Sequence, residues 1–361
     1  MGRTVAVVGG GYGGSLVARE LDDVADVVLI DPRDAFVNAA GSLRALTRPD
    51  WAPRIFFPFD TLLTRGRFVR DAAVSVDARG VALASGGRVE ADYVVLATGS
   101  GYTFPGKPRP GVTDTAEALA DLRASHEQLA GAGRVLIVGA GPVGLELAGE
   151  INDAWPDKHV VVVDRNEQLL PFLLPEVRDD LRTQLDKAGV ELRLGAGLAS
   201  APPVGPGRAG EFRVATEGGE EITADIWFRT YGLSLNTGWL PGGELTSRGT
   251  VPVTERLTVR GYDRMYALGD IVDLPDPKMA SYAQQQAQTV VANIGAQLAG
   301  ERPEAVHPVS PHRRMLIPLG TRGGAGQMPA PGGVAPVSVE TVRERKGADL
   351  FTAQFARRFR S

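Results

Sequence analysis

Gly9, Gly11 and Gly14 stand in the spacing G-x-G-x-x-G after an apolar, β-branched run, and Asp31 follows 22 residues after Gly9. That combination can hold a dinucleotide. Glycine is needed where a turn is tight, where backbone must approach a pyrophosphate, and where a helix must pack close to a strand. The helix N-terminus then offers unpaired N–H groups and the positive end of its dipole to the phosphates. Asp31 is placed to hold a ribose 2′-hydroxyl. The set recurs in Gly139, Gly141 and Gly144, with Asp164 ending the run "HVVVVD". A carboxylate there accepts a 2′-hydroxyl and repels a 2′-phosphate, which favours NADH, while the adjacent Arg165 leaves NADPH open. Two cradles imply two dinucleotides, and a hydride carrier with a flavin is the economical pair. The motifs alone do not say which cradle holds which.

Other residue types narrow the chemistry. The chain has no cysteine, so disulfides, thiolate metal sites and cysteine nucleophiles are excluded. Its four histidines, His126, His159, His307 and His312, show no metal-ligand spacing. Glu146 lies two residues after the third glycine of the second cradle, where a carboxylate is costly if buried unpaired. In "KMASYAQQQAQ", Ser281 with Gln284 three residues on reads as a capping box, predicting a helix that begins at Tyr282. Phe351, Phe355 and Phe359 recur every four residues beside Arg357, Arg358 and Arg360. A terminal helix with that stripe either rests on anionic headgroups or packs on its own core or across a homodimer.

The elements that must position these residues repeat as well. "RTVAVVGGGYGGSLVARELDDVADVVLIDPRD" reads as strand, glycine turn, helix, strand, and "GRVLIVGAGPVGLELAGEINDAWPDKHVVVVDRN" repeats the plan. "ADYVVLATGS" follows the first unit and "ADIWFRTYGLSLN" the second. This internal duplication predicts an α/β fold of two Rossmann-like dinucleotide-binding domains with a small α+β C-terminal domain. The expected boundaries are 1–112 with 249–300 for the first domain, 113–248 for the second and 301–361 for the third. "TFPGKPRPGVTD" reads as the hinge between modules and "SAPPVGPGRAG" as a hairpin loop. At 361 residues the chain is too long for one core of typical size. Its composition is 43% hydrophobic and 23% charged, with a net charge of -4, which argues against nucleic acid as a partner. Met1 leads directly into an apolar strand and no run is long and apolar enough to span a bilayer, so the expected location is cytoplasmic. Peripheral contact with the inner face of the membrane is the corollary of the terminal stripe.

The two cradles, the "YVVLATGS" segment and "VRGYDRMYALGD" resemble the two-dinucleotide flavoprotein superfamily. The resemblance implies FAD in the first cradle and NAD(P)H in the second. It also implies that Asp270 hydrogen-bonds the flavin ribityl chain, that Glu146 lies near the nicotinamide and flavin N5, and that the helix after Asp270 points at the pyrimidine edge of the flavin. Finer motifs resemble the AIFM2-type branch, the ferroptosis suppressor protein-like enzymes that reduce quinones with NAD(P)H. These are "AAGSLRAL", "LATGSGYTFPGKP", "GDIVDLPDPKMA", "LGTRGGAGQM" and "KGADLF". The last two discriminate best, since a generic two-Rossmann flavoprotein has no need of them. Cofactor contacts carried over by the resemblance include Tyr12, Gly13, Arg44, Thr98, Gly99 and Lys278. Glu146, Lys346, Phe351 and Tyr282 form the implied catalytic and acceptor set, and Asn38 to Gly41 are expected to face the flavin ring. The chain departs from the branch at Ser281, where the branch has an aromatic, and around Pro331. The myristoylation signal is missing, with Ala6 in place of a hydroxyl residue. The implied activity is hydride transfer from NADH to FAD, then two electrons to a quinone-like acceptor. The alternatives are a reductase serving a protein partner such as a ferredoxin, rubredoxin or oxygenase, and a non-catalytic NADH-responsive binding protein.

Overall fold

In the computed structural model, residues 2–241, 245–309 and 311–359 are described. Two parallel sheets carry the fold, and the β-branched runs of the sequence are their buried strands. The first has five strands in the order Met265–Ala267, Tyr93–Leu96, Thr4–Val8, Asp26–Asp31, Arg67–Arg70. The second has four, in the order Glu191–Leu194, His159–Asp164, Arg134–Val138, Ile226–Arg229. In each, the strand entering the glycine turn lies between the strand ending in the acid and the strand of the ATG-like segment, all parallel. Strands buried on both faces read as continuous Val, Ile and Leu rather than alternating, as "HVVVVD" and "RVLIV" do.

The tail begins as an antiparallel sheet, Met315–Leu319, Gly323–Ala330 and Gly333–Val337. It continues through a short helix, Val339–Val342, and a π-helical turn, Arg343–Gly347, into the terminal helix Thr352–Arg358. Among the described residues these elements form no core of their own. Met315, Ile317 and Ala325 belong to the core of the second module. Phe355 and Phe359 belong to that of the first.

The phenylalanine stripe therefore faces inward. Phe355 and Phe359 are buried, and they pack against the rings of Tyr12, Phe36, Phe57 and Phe59 at separations of 4.8 to 6.3 Å. Each buried ring contributes about 1.5–3 kcal/mol, which exposure to headgroups would forfeit. Arg358 donates to the Tyr12 carbonyl, the Ser15 hydroxyl and the Gln284 side chain, and burial pushes its guanidinium down to about 10. Of the expectations for this stripe, packing on the protein's own core is the one that Phe355 and Phe359 show. Arg360 lies outside the described residues. Among the described residues, no helix is long and apolar enough to cross a membrane.

The tail sheet sits on the second cradle helix, Pro142–Ala154, through one glycine. A Cβ at Gly149 would lie 2.5 Å from Leu319 Cα and 2.8 Å from the Gly320 nitrogen. Backbone cannot swing aside as a side chain can, so Gly149→Ala is expected to cost about 3 kcal/mol or more through overpacking. Urea unfolding of the variant tests this, and an unchanged midpoint would show that the contact is loose.

Candidate functional site

The two glycine turns are built alike. Gly9 and Gly139 take positive φ, +99° and +112°. A Cβ on Gly14 would stand 1.8 Å from the Gly9 carbonyl, and one on Gly144 1.9 Å from that of Gly139. These four glycines serve close packing. At Gly11 and Gly141 a Cβ would meet nothing within 4 Å. Absence of a side chain there clears space above the turn, where a pyrophosphate can approach backbone N–H groups, so both cradles fit a dinucleotide. Gly13 differs: its missing Cβ admits Leu268 Cδ1 and the Ala283 carbonyl, so it seats the turn against the helix Ala280–Leu298.

The acids brace these turns. Asp31 accepts from Gly10 N–H at 2.7 Å and from the Arg33 backbone N–H, Nε and Nη2, so a ribose would share it with Arg33. Asp164 accepts from Ala140 N–H at 2.7 Å and from the N–H and Nδ2 of Asn166. Arg165 is exposed.

The turn that carries Asp270 follows the edge strand of the first sheet and meets the first ATG-like segment. The Ser100 hydroxyl donates to Asp270 Oδ2, and Lys107 Nζ donates to the Ser100 carbonyl and hydroxyl. Burial lowers the Lys107 ammonium pKa, opposed by the Asp270 charge. Lys278 Nζ donates to the Val272 carbonyl at 2.8 Å, and burial lowers its pKa too. Thr98 is locked to Asn236, hydroxyl to carbonyl and carbonyl to side-chain amide, and Gly99 adopts φ +62°. Tyr12 donates to Asn38 Oδ1 and accepts from Ala40 N–H; burial raises its pKa, with Glu146 and Asp270 adding to the rise. Asn38 is fully buried and donates to the Leu350 carbonyl.

The predicted capping box does not form. The helix begins at Ala280 with Met279 as its N-cap and no side-chain cap. Gln284 is drawn away to Gln354 and Arg358 of the terminal helix, so its amide cannot reach back to the helix start. A cap would also have filled the N–H groups that an anionic ligand edge can use. Tyr282 is buried in the first turn of this helix.

The second cradle helix presents Glu146, Glu150 and Asp153 along one face, and each is met by a cation from elsewhere in the chain. Lys346 Nζ lies 2.6 Å from Glu146 Oε1 across 200 residues of sequence, and also donates to the Leu316 carbonyl. Burial raises the Glu146 pKa while the Lys346 charge pulls it down. Arg44 grips Glu150 with Nε and Nη2, and its remaining bonds go to the carbonyls of Ala348 and Gly320. At 1% exposure the Arg44 side chain is committed to this buried ion pair and the two carbonyls. Asp153 meets Arg48, Arg322 and Thr321; burial would raise its pKa, but the Thr321 and Arg48 bonds hold it below the usual carboxylate range.

Phe351 and Leu350 adopt left-handed φ of 66° and 49°, a strain of order 1–3 kcal/mol per residue. Asp349 sustains it by accepting from Phe351 N–H and Ala353 N–H. Along the Lys346–Phe351 segment, Lys346 thus meets Glu146, and the Leu350 carbonyl meets Asn38, which holds Tyr12. The pairing of Glu146 with Lys346, and the parts of Ser100, Lys107 and Asn236, were missed from sequence. One signal existed: acids spaced four and three apart inside the apolar helix "PVGLELAGEINDA" require cations from outside it.

The sequence pattern of the pyridine nucleotide-disulphide oxidoreductases matches residues 3–287. Ferroptosis suppressor protein 1 of Taeniopygia guttata is 31% identical over 332 residues, covering 90% of this chain and 88% of that protein. The Homo sapiens ferroptosis suppressor protein 1 is 28% identical, covering 97% and 94%. Among solved structures, the sulfide:quinone oxidoreductase of Aquifex aeolicus superposes with a TM-score of 0.76 at 19% identity, covering 99% of this chain and 91% of that one. NDH2 from Plasmodium falciparum in complex with NADH gives 0.70 at 13%, covering 96% and 93%.

Removing Lys346 tests the buried pair. Lys346→Met leaves buried Glu146 without its hydrogen-bonded cation, an expected cost of about 3 kcal/mol near neutral pH. A carboxyl whose folded pKa is raised loses stability as pH rises from the unfolded value through the folded one, and the variant raises it further. The deficit relative to the parent should shrink as pH falls through the raised range in which Glu146 protonates. Denaturant midpoints across that range, with a deficit that stays constant, would show that Glu146 is not the group responsible.

Proposed function

Since the chain belongs to the pyridine nucleotide-disulphide oxidoreductase family, in its ferroptosis suppressor protein-like group, it is an FAD-dependent NAD(P)H oxidoreductase, and we propose that it oxidises NADH and reduces a quinone-like acceptor. The observation that carries this reading is the buried Glu146–Lys346 pair, 2.6 Å apart, at the junction of the second cradle helix and the tail. FAD, when bound, supplies the two-electron chemistry linking NADH to the acceptor.

The chain's own residues supply position, charge and protons. We assign FAD to the first cradle and NADH to the second. Asp164 presents a carboxylate, not a cation, where a 2′-phosphate would lie, which favours NADH. Gly11 and Gly141 let the phosphates reach backbone, and the uncapped start of the Ala280–Leu298 helix offers N–H groups to negative charge at the flavin edge. With no thiol anywhere, electrons must pass directly to the acceptor. A quinone that takes two electrons also takes two protons, one from NADH as hydride and one from solvent. Lys346 and Glu146 form a proton-bearing pair placed to deliver the latter. Phe351, held over the same region by Asp349, would wall the acceptor site, and Tyr282 is the second aromatic proposed there.

Anaerobic bleaching of the FAD-loaded protein with NADH, followed by menaquinone, ubiquinone and benzoquinone analogues, tests the acceptor. At least one should restore the oxidised spectrum faster than dissolved oxygen does; if none does, the quinone reading fails. Separately, Asp164→Asn keeps an acceptor for Ala140 N–H but removes the charge, so kcat/KM for NADPH relative to NADH should rise by about tenfold. An unchanged ratio would mean that another residue selects the nucleotide.

A further inference from the structure

Asp276, Gln286 and His307 take no part in the chemistry above, yet all three are buried, at 7%, 2% and 4% exposure. Gln286 Nε2 and His307 Nε2 both lie 2.7 Å from Asp276 Oδ2. A buried carboxylate and imidazole are expensive relative to apolar side chains of the same volume. Their geometry indicates what they do. Because the amide nitrogen of Gln286 must face the carboxylate, its oxygen must face the other way, where it accepts the Gly269 N–H at 2.7 Å. Gly269 stands at φ +80° and leads directly into Asp270.

We propose that Asp276, Gln286 and His307 form a positioning relay that sets the Gly269–Asp270 turn for the flavin. Asp276 orients the Gln286 amide, Gln286 holds the turn, and His307 fixes Asp276 through the same carboxylate oxygen, Oδ2. The relay rests on the reading of Asp270 as a flavin contact. It extends that reading by tying the turn to the segment that leads into the tail sheet. His307 lies in that segment, whose Ala305 is held in turn by Asn293 of the same helix as Gln286. Charged groups around the relay do not substitute for it: Lys278 is committed to the Val272 carbonyl, and Asp273 to Arg248.

Flavin affinity measured by titrating FAD into the apoprotein tests the relay, with the apoprotein's thermal midpoint and the visible spectrum of bound FAD read alongside. Gln286→Leu preserves volume and removes both hydrogen bonds, so the FAD Kd should rise about tenfold and the bound-flavin spectrum should shift. His307→Leu should weaken binding in the same direction, and His307→Gln, which keeps a donor toward Asp276, should restore it. Asp270→Asn is the reference. Combined with Gln286→Leu, it should be no weaker than Asp270→Asn alone within about twofold, because coupled residues are non-additive. Multiplied losses in the double variant overturn the relay. So does a lowered thermal midpoint with FAD Kd and spectrum unchanged, which would mark the trio as merely structural. If Asp270→Asn weakens FAD while Gln286→Leu does not, the relay alone fails; if Asp270→Asn has no effect, the reading of Asp270 falls with it.

Discussion

The second cradle helix carries a line of buried or half-buried carboxylates, and the rest of the molecule is arranged to neutralise it. Glu146, Glu150 and Asp153 cannot be left unpaired at this depth, since an uncompensated buried charge costs several kcal/mol. Lys346 comes from the tail, Arg44 and Arg48 from the first module, and Arg322 from the tail sheet. One helix thereby dictates the distance between modules and the path of the tail. Gly149, between two of the acids, lets the tail strand come to backbone contact so that these cations can reach.

The same demand explains why the tail owns no core. Its sheet completes the apolar cluster of the second module, and its last helix completes that of the first. A segment spread in this way bridges the two cradles and covers the ground between them. A site that passes electrons between two bound cofactors belongs at such a joint, where water can be excluded and charges from several units can converge.

Electrostatics at that joint are graded by burial and pairing. Lys107 and Lys278 flank the Asp270 turn with ammonium pKa values lowered by burial, so each holds its charge less firmly than a surface lysine. Glu146 shows the opposite effect, with a proton held more firmly than usual. Burial raises the Glu150 carboxyl in the same way, against the pull of Arg44, so both buried acids of this helix depend on the cation that meets them.

By itself the sequence determined the two glycine turns, their bracing acids, the parallel sheets and the absence of any thiol route. Each of these is written within a short window, as a run of β-branched residues, a glycine spacing or a missing residue type, and local sterics enforce them wherever the chain ends up. Tertiary structure decided what those windows do not contain. Arg44 and Lys278 had the same standing in the sequence, yet Arg44 is enclosed by Glu150, Ala348 and Gly320 while Lys278 stays beside the Asp270 turn. Gln284 left its expected cap for Arg358, and the phenylalanine stripe turned to Tyr12 and Phe36 rather than outward. Such choices depend on which distant segment arrives with a complementary charge or an unfilled apolar surface, and only chain return over hundreds of residues supplies that partner.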